Sequence, residues 1–295
     1  MIVLALVTQN EEDLLRGNIQ HHLNWGFDHI AVADNDSTDG TADVAREFGT
    51  AVSYQRFPDF HDRQLVRAAM IAKLKDQGRV DWAAVADTDE MFWAPGASGP
   101  RALLAGTPAD IVGVNFDMKL FLPTVLDPPD VPVFIGRVYR SSSSASPLHT
   151  SYRAGKSFYR GEWLTEILDE HWSANVPHDV YRHDEPAVHH YMIQDEDQFV
   201  QKVERLMSWV RPQKLTDRIR WKAKQRRNPD QLPHWIGKSK REWWSVYANH
   251  GEAGLREYYR TVYTLGEDRV RNAIAAGELV EDSAFARWAE ASSVQ

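Results

Sequence analysis

The stretch WAAVADTDEMFW, residues 82–93, places three carboxylates within four positions directly behind a run of small apolar residues. A short, continuous apolar run is typical of a strand that is buried on both faces of a parallel sheet. Asp87, Asp89 and Glu90 therefore follow a predicted buried strand. Burying several carboxylates together costs free energy unless a cation compensates their charge. The alternative is a solvated acidic turn, which commonly follows a strand.

The same apolar pattern recurs upstream, at residues 1–7 and 29–34. A further strand is predicted at residues 51–57, and residues with helical spacing lie between these strands. Strands that alternate with helices predict a parallel sheet with right-handed crossovers. We therefore predict an α/β fold, a Rossmann-like and mostly parallel sheet flanked by helices, with a C-terminal helical extension. Residues 1–205 are the predicted catalytic domain, and residues 206–295 are the extension packed on it.

Further elements are predicted in the rest of the chain. A third helix is predicted over residues 65–74, and a long helical region begins at Asp195. The remaining apolar runs predict strands, at residues 110–118, 133–139, 156–160 and 187–192.

Composition narrows the class of protein. The 295-residue chain has a net charge of -8, which argues against a nucleic-acid partner. It has no cysteine, so disulfides and thiolate metal sites are excluded. The absence of cysteine suits a cytoplasmic location, and no apolar run approaches the ~20 residues that span a membrane. The apolar N-terminus lacks a basic leader and reads as the first strand rather than a signal peptide.

Acidic residues follow two of the predicted strands. Asp34 and Asp36 follow the second strand, and Asp87 and Asp89 follow the fourth. Ligands of open α/β sheets bind beyond the carboxyl ends of the strands, so both acidic groups should line one edge. Oxygen ligands of this kind suit Mg²⁺ or Mn²⁺, which bridge carboxylates to substrate phosphates. A nucleoside diphosphate sugar is one such substrate.

Three stretches, VTQNEEDLL (7–15), ADNDSTDGT (33–41) and ADTDEMF (86–92), resemble in order the motifs of family 2 glycosyltransferases, which have the GT-A fold. HYMIQDEDQFVQK (190–202) is similar to a pattern of one branch, H-Y-x-x-K-S-x-x-x-F-x-x-K. Gln194 and Asp195 depart from the usual Lys-Ser of that pattern.

The resemblance implies a metal-dependent, inverting transferase that moves a hexosyl group from a nucleoside diphosphate sugar, with a UDP-sugar favoured. The acceptor would be a hydroxyl of an unidentified glycan, lipid or small molecule. The implied cofactor is Mn²⁺ or Mg²⁺, with Asp87, Asp89 and His190 as ligands. The implied donor-binding residues are Thr8, Asn10, Glu11, Asp34, Asp36, Asp87, Lys156 and Lys202.

Other candidates rest on local patterns. Arg63 and Arg67 lie one helical turn apart and could meet a diphosphate, with solvated arginines as the alternative. Neighbouring strand residues face opposite sides, so only one of His189 and His190 can enter the site. An inverting transferase needs a general base, for which we predict Glu162. The alternatives to it are Glu166, Asp169, His178, Asp179 and Asp184.

The basic, tryptophan-rich segment from residue 211 to 247 has two interpretations. It is either a helical cap with a solvated basic face, or a peripheral contact with an anionic membrane.

Two other function classes compete with a glycosyltransferase. A nucleotidyltransferase shares the architecture and the metal chemistry, but VTQNEEDLL lacks the Gly-rich loop such enzymes usually carry. A non-catalytic nucleotide- or sugar-binding module would need no base.

Overall fold

The computed structural model describes residues 1–57, 70, 78, 80–143, 146, 148, 155–163, 180–210 and 238–293. The strands of this part of the chain are β1 Ile2–Thr8, β2 His29–Asp34, β3 Val52–Arg56, β4 Trp82–Asp87, β5 Glu90–Trp93, β6 Gly113–Leu120, β7 Tyr139–Ser141, β8 Lys156–Arg160, β9 Val180–His190 and β10 Leu279–Glu281. Its α-helices are α1 Glu12–Trp25, α2 Thr41–Glu47, α3 Pro100–Leu104, α4 Val133–Gly136, α5 Glu196–Val210, α6 Lys238–Tyr258, α7 Glu267–Ala275 and α8 Ala284–Ser293.

Eight strands form one sheet in the order β3-β2-β1-β4-β8-β6-β9-β5. Strands β1 to β4 pair in parallel, β8 pairs antiparallel with β4 and β6, and β9 pairs parallel with β6 and antiparallel with β5. Six strands therefore run in one direction, and β5 and β8 run in the other. The predicted α/β fold class, with a mostly parallel sheet and helices beside it, is confirmed.

The apolar composition of β1 explains its central place in the sheet. Every residue of β1 is buried, because the strand has a neighbour on each side and is covered on both faces. On one face, Val3 and Val7 pack with Ala31 and Val85 of the neighbouring strands. The neighbouring strands contribute small residues to the same cluster, among them Ala33 of β2 and Ala83 of β4.

One predicted element needs correction, and one strand was not predicted. Residues 133–139 were expected to form one strand, but they form α4 and then the start of β7. The carbonyl of Pro132 accepts the N–H groups of Ile135 and Gly136, so a helical turn begins where a strand was predicted. Residues 90–93, for which no element was predicted, form β5, which pairs with β9. The helix predicted over residues 65–74 lies outside the described residues, apart from Met70.

The chain packs into two compact units. The first comprises the described residues of Met1–Leu120, Tyr152–Met192 and Asp282–Gln295, and it holds the large sheet. The second comprises those of Phe121–Ser151 and Ile193–Glu281, with α5, α6, α7 and the two-stranded β7–β10 pair. The limits of these units differ from the predicted domain boundary after residue 205. The division into a catalytic domain and a C-terminal extension stays a prediction. No helix of the described segments is long and apolar enough to cross a membrane.

Helix α1 begins and ends where its sequence predicts. Glu12 and Asp13 lie in its first turn, where negative charge stabilises the helix N-terminus. Leu15 and Ile19 are one turn apart and fully buried. Gly26 ends the helix in the left-handed conformation, with φ of 103°, which costs glycine little.

Two buried histidines of α1 bind the backbone of β5. The His21 Nε2 atom lies 2.7 Å from the carbonyl oxygen of Phe92, and the N–H of Phe92 donates to His22 Nε2 at 3.1 Å. Burial lowers the pKa of His21 from 6.5 to about 4. Burial, and then the neighbouring His21, lower the pKa of His22 well below its usual value. Both rings are therefore neutral in the folded protein at pH 7.

These histidines should make the protein less stable in acid. Between pH 6.5 and about 4 the unfolded state binds a proton at His21 that the folded state does not, so the free energy of unfolding falls as the pH falls. From this residue alone the loss is on the order of 3 kcal/mol. Urea unfolding at pH 7 and pH 4 should show a smaller loss for His21→Gln than for the wild type. The exposed His250, changed to Gln, is the control and should leave the loss unchanged. An unaltered pH dependence in His21→Gln would contradict this account.

Candidate active site at the carboxyl edge of the sheet

The directions of the strands bring the polar motifs to one edge of the sheet. The carboxyl ends of β1, β2, β4 and β9 meet there, and so do the amino ends of β5 and β8, which run the other way. Six of the predicted or neighbouring motif residues lie at this edge: Thr8, Asp34, Asp87, Glu90, Lys156 and His190.

The centre of the site is a buried group of metal-binding side chains. Asp89, Glu90 and His190 each offer one ligand atom, and these atoms all lie within 4.8 Å of one another. Asp89 Oδ1 lies 3.5 Å from His190 Nε2. Glu90 is directly opposite His190 in the β5–β9 pair, so their side chains share a face of the sheet. Asp89, at the turn between β4 and β5, joins them there.

His189 and His190 have different surroundings. His190 lies beside Asp89, whereas His189 is fully buried against Trp93 and Phe285, with ring centroids 5.5 and 5.1 Å away. This separation follows from the alternation of side chains along β9. His189 is therefore part of an aromatic core, and His190 belongs to the polar group at the edge.

Glu90 forms an ion pair with Lys156 below the surface. The Lys156 Nζ atom lies 2.9 Å from Glu90 Oε2, and the two side chains are 0% and 3% exposed. The same Glu90 oxygen accepts the backbone N–H of Asp87 at 2.8 Å. Burial raises the pKa of Glu90, and the positive charge of Lys156 opposes that shift. Lys156 was predicted to contact donor phosphates, and the structure brings it to this carboxylate.

A hydrogen-bond network from α1 fixes the backbone around Asp89. Asn18 Nδ2 donates to the carbonyl oxygens of Thr88 and Glu90, both at 2.9 Å. Because His22 Nε2 accepts the Phe92 N–H, its Nδ1 carries the hydrogen and donates to Asn18 Oδ1 at 2.8 Å. All of these side chains are buried. The network holds the carbonyls on both sides of Asp89 in place.

In the second acidic motif, hydrogen bonds from neighbouring residues hold the carboxylate of Asp34. The Ser37 N–H and hydroxyl donate to Asp34 Oδ1 at 2.9 and 2.5 Å, and the Tyr54 hydroxyl donates to Oδ2 at 2.5 Å. Burial, and then the hydrogen bond to Asp34, raise the pKa of Tyr54. Asp34 is 1% exposed, so its carboxylate supports the turn that follows it.

Asp36 occupies a more open position. Its φ is 58°, in the left-handed region that Asp tolerates better than most residues. Its carboxylate accepts Arg56 Nε at 2.6 Å, at the end of the adjacent β3. The side chain is 48% exposed, so Asp36 can reach a ligand in solution.

The loops after β1 and β2 are joined by hydrogen bonds. The Asn10 N–H donates to Ser37 Oγ, and Asn10 Oδ1 accepts the Thr38 N–H, both at 2.8 Å. Glu11 precedes α1, and its carbonyl accepts the Leu15 N–H. The predicted Asn10–Glu11 pair thus lies beside the ADNDSTDGT turn, with Asn10 orienting that turn.

Of the remaining predicted residues, Glu162 is described and lies away from this group. Glu162 follows β8 and is exposed at the opposite edge, where Trp82 begins β4. A strand places the residues before and after it at opposite edges, so Lys156 and Glu162 cannot both line the same site. Lys202 lies on α5 in the second unit. Arg63, Arg67, Glu166, Asp169, His178 and Asp179 lie outside the described residues, and Asp184 lies within β9.

Sequence reasoning missed Asn18, His22, Tyr54 and Arg56 as residues that support the site. One signal was available for the first two. Asn18 and His22 are one turn apart on the face of α1 that also carries Leu15 and Ile19. A polar residue on an apolar helix face needs a buried partner. No local pattern marks Tyr54 or Arg56.

No family model and no curated protein matches the chain. Among solved structures, TarS residues 1–349 from S. aureus, in complex with UDP-GlcNAc, is 11% identical over 88% of this chain and 91% of that one, with a TM-score of 0.40. Glucosyl-3-phosphoglycerate synthase from Mycobacterium tuberculosis, in complex with Mn²⁺, UDP-glucose and phosphoglyceric acid, is 19% identical over 57% and 59%, with a TM-score of 0.34. The 4-diphosphocytidyl-2C-methyl-D-erythritol synthase from Anaerococcus prevotii is 11% identical over 67% and 92%, with a TM-score of 0.38. The chain thus spans little more than half of the mycobacterial synthase, and none of these likenesses assigns an activity.

A substitution of Asn18 tests how the backbone of residues 88–90 is held. Asn18→Ala leaves the buried carbonyls of Thr88 and Glu90 without their donor, so we expect a loss of roughly 2–4 kcal/mol in the free energy of unfolding. Asn24→Ala, on the exposed side of the same helix, is the matched control and should stay within about 0.5 kcal/mol of the wild type. Urea denaturation measures both. Equal losses in the two variants would rule out this role for Asn18.

Proposed function

We propose that this protein is a metal-dependent, inverting glycosyltransferase that moves a hexosyl group from a UDP-sugar to a hydroxyl of an acceptor. The observation that carries the proposal is the buried group of Asp89, Glu90 and His190, whose ligand atoms lie within 4.8 Å of one another at the carboxyl edge. Ligands of α/β sheets bind at this edge. The order of the motifs along the chain, and their resemblance to family 2 glycosyltransferases, support the same reaction class.

The residues present fit a divalent cation. Asp89 supplies a carboxylate oxygen and His190 an imidazole nitrogen, and the two atoms are 3.5 Å apart. Carboxylates accept either Mg²⁺ or Mn²⁺, and an imidazole suits Mn²⁺ better. Asp89 and His190 would hold the ion, and Asp87, at the end of β4, would lie next to it. When bound, the ion supplies positive charge that stabilises the departing diphosphate.

The chain itself would bind and orient the nucleotide. Asp36, exposed at the end of β2, is the proposed acceptor for hydroxyls of the ribose or donors of the base. Asp34, which Ser37 and Tyr54 hold in place, fixes the turn that presents Asp36. Thr8 and Asn10 line the adjacent loop. Glu162 has no part in this proposal, because it lies at the other edge of the sheet.

The class of acceptor is a glycan, a lipid or a small molecule that offers a hydroxyl. Residues 211–237 of the basic segment that carried the predicted membrane contact lie outside the described residues, and residues 238–247 belong to α6. Peripheral association with a membrane therefore stays a prediction, and so does a cytoplasmic location.

A thermal-shift measurement with UDP tests the proposal. UDP in about hundredfold excess over its Kd should stabilise the protein by about 2.7 kcal/mol in the presence of Mn²⁺, and much less in excess chelator. For a chain of this length the melting temperature should rise by roughly 5 °C or more. Asp89→Asn should abolish the dependence on Mn²⁺, whereas the control Asp117→Asn, exposed on β6, should keep it.

The other outcomes of this measurement separate the competing functions. Equal stabilisation by UDP with and without chelator would favour a metal-independent binding module. Stabilisation by nucleoside triphosphates but not by UDP or a UDP-sugar would favour a nucleotidyltransferase. Release of UDP from a UDP-sugar on addition of acceptor extracts would identify the transferase reaction directly.

The two neighbouring histidines provide a second test of the metal site. His190→Ala removes a proposed ligand, so the Mn²⁺ concentration needed for half-maximal stabilisation by UDP should rise about tenfold or more. His189→Ala leaves a cavity between Trp93 and Phe285 and should lower the melting temperature without changing the Mn²⁺ requirement. A metal defect in His189→Ala alone would mean that the site lies on the opposite face of β9.

A further inference from the structure

The ion pair between Glu90 and Lys156 bears on which residues hold the metal. Three side chains at the site are close enough to share one ion, and Glu90 is among them. Glu90 Oε2 is nevertheless 2.9 Å from Lys156 Nζ, and Lys156 is entirely shielded from solvent. A buried ammonium needs a counter-ion, since no water is available to solvate its charge. Glu90 fulfils that need in the protein as it stands.

A divalent ion and Lys156 would compete for the same carboxylate. Both are positive, and like charges repel strongly in a buried site, where the dielectric constant is low. If the ion took Glu90 from Lys156, the ammonium would be left buried beside the metal. The carboxylate of Asp89 has a different neighbour, the imidazole of His190 at 3.5 Å.

Glu90 also supports the motif through the backbone. Its Oε2 accepts the N–H of Asp87, three residues earlier, at 2.8 Å. Asn18 holds the carbonyl of Glu90 from the other side. The N–H of Tyr191, the residue directly after β9, donates to the carbonyl of Asp89 at 2.8 Å. This hydrogen bond fixes the residue before Glu90. These contacts fix the backbone of the motif from Asp87 to Glu90.

We propose that Glu90 is a positioning residue and the counter-ion of Lys156, and that Asp89 and His190, without Glu90, are the protein ligands of the divalent ion. In this arrangement the ammonium group of Lys156, rather than the divalent ion, neutralises Glu90, the third carboxylate of the motif. The inference rests on the proposed function, since it assumes that the site binds a divalent ion. It differs from the prediction that Lys156 binds donor phosphates.

The double variant Glu90→Gln/Lys156→Met tests the inference without measuring activity. It replaces the ion pair with neutral side chains of similar size, a change that buried pairs often tolerate. Glutamine still offers a carbonyl oxygen to the Asp87 N–H. The affinity for Mn²⁺ alone is measured from the electron paramagnetic resonance signal of free Mn²⁺, and a thermal melt checks that each variant is folded.

The expected result is a double variant that binds Mn²⁺ within about threefold of the wild type, because the net charge of the site is unchanged. Asp89→Asn should bind it about tenfold more weakly or worse. The Arg101→Met control, which removes a cation that lies 2.6 Å from Asp28 before β2, at the opposite edge of the sheet, should stay near the wild type. A loss greater than about threefold in the double variant would make Glu90 a ligand and overturn the inference.

The single variants give an independent measurement. Glu90→Gln leaves Lys156 uncompensated and should weaken Mn²⁺ binding, and adding Lys156→Met should restore it. If Glu90 were a ligand, removing Lys156 would relieve only the repulsion and would leave the double variant well below the wild type, and the inference would be wrong. A wild-type protein that binds no Mn²⁺ would overturn the proposed metal requirement together with this inference, whereas a wild type that binds Mn²⁺ and a double variant that does not would overturn the inference alone.

Discussion

The concentration of negative charge behind β4 is the constraint on which the site depends. Asp89 and Glu90 are nearly inaccessible to solvent, and carboxylates in such surroundings must be paired or protonated. Each has a partner from a different part of the sheet, His190 from β9 and Lys156 from β8. The antiparallel direction of β8 is what brings the first residue of that strand to the carboxyl edge. The sheet topology therefore supplies a partner for each of the two buried carboxylates, Asp89 and Glu90.

The second layer of support is neutral. Asn18 and His22 use all their hydrogen-bonding groups on each other and on the backbone of residues 88–92. A neutral network can be fully buried without a counter-ion, and it fixes peptide groups rather than carboxylates. Charged partners thus set the side chains of the motif, while amide and imidazole groups set its backbone. Each layer can be weakened separately by substitution.

The sequence predicts strands β1, β2 and β4 well, because each is a mostly apolar run bounded by turn residues. It also predicts that Asp34 and Asp87 share an edge, since parallel strands end together. The partner of Lys156 could not be predicted, because it depends on the direction of a strand about 70 residues away from the motif. Strand β5 was not predicted, because EMFW is only four residues long and begins with the last carboxylate of the acidic motif.

The prediction of Glu162 as the base contains a conflict that the sequence alone could have exposed. Lys156 and Glu162 flank one short strand, whose length of five residues corresponds to roughly 16 Å. Two residues so placed cannot both reach one diphosphate sugar, so accepting one as a site residue excludes the other. The ion pair with Glu90 decides for Lys156. Within the described residues of the first unit, the loops that reach the edge where Asp89 and His190 lie follow the six co-directional strands or precede β5 and β8, so those loops are where the proposed transferase would carry its base.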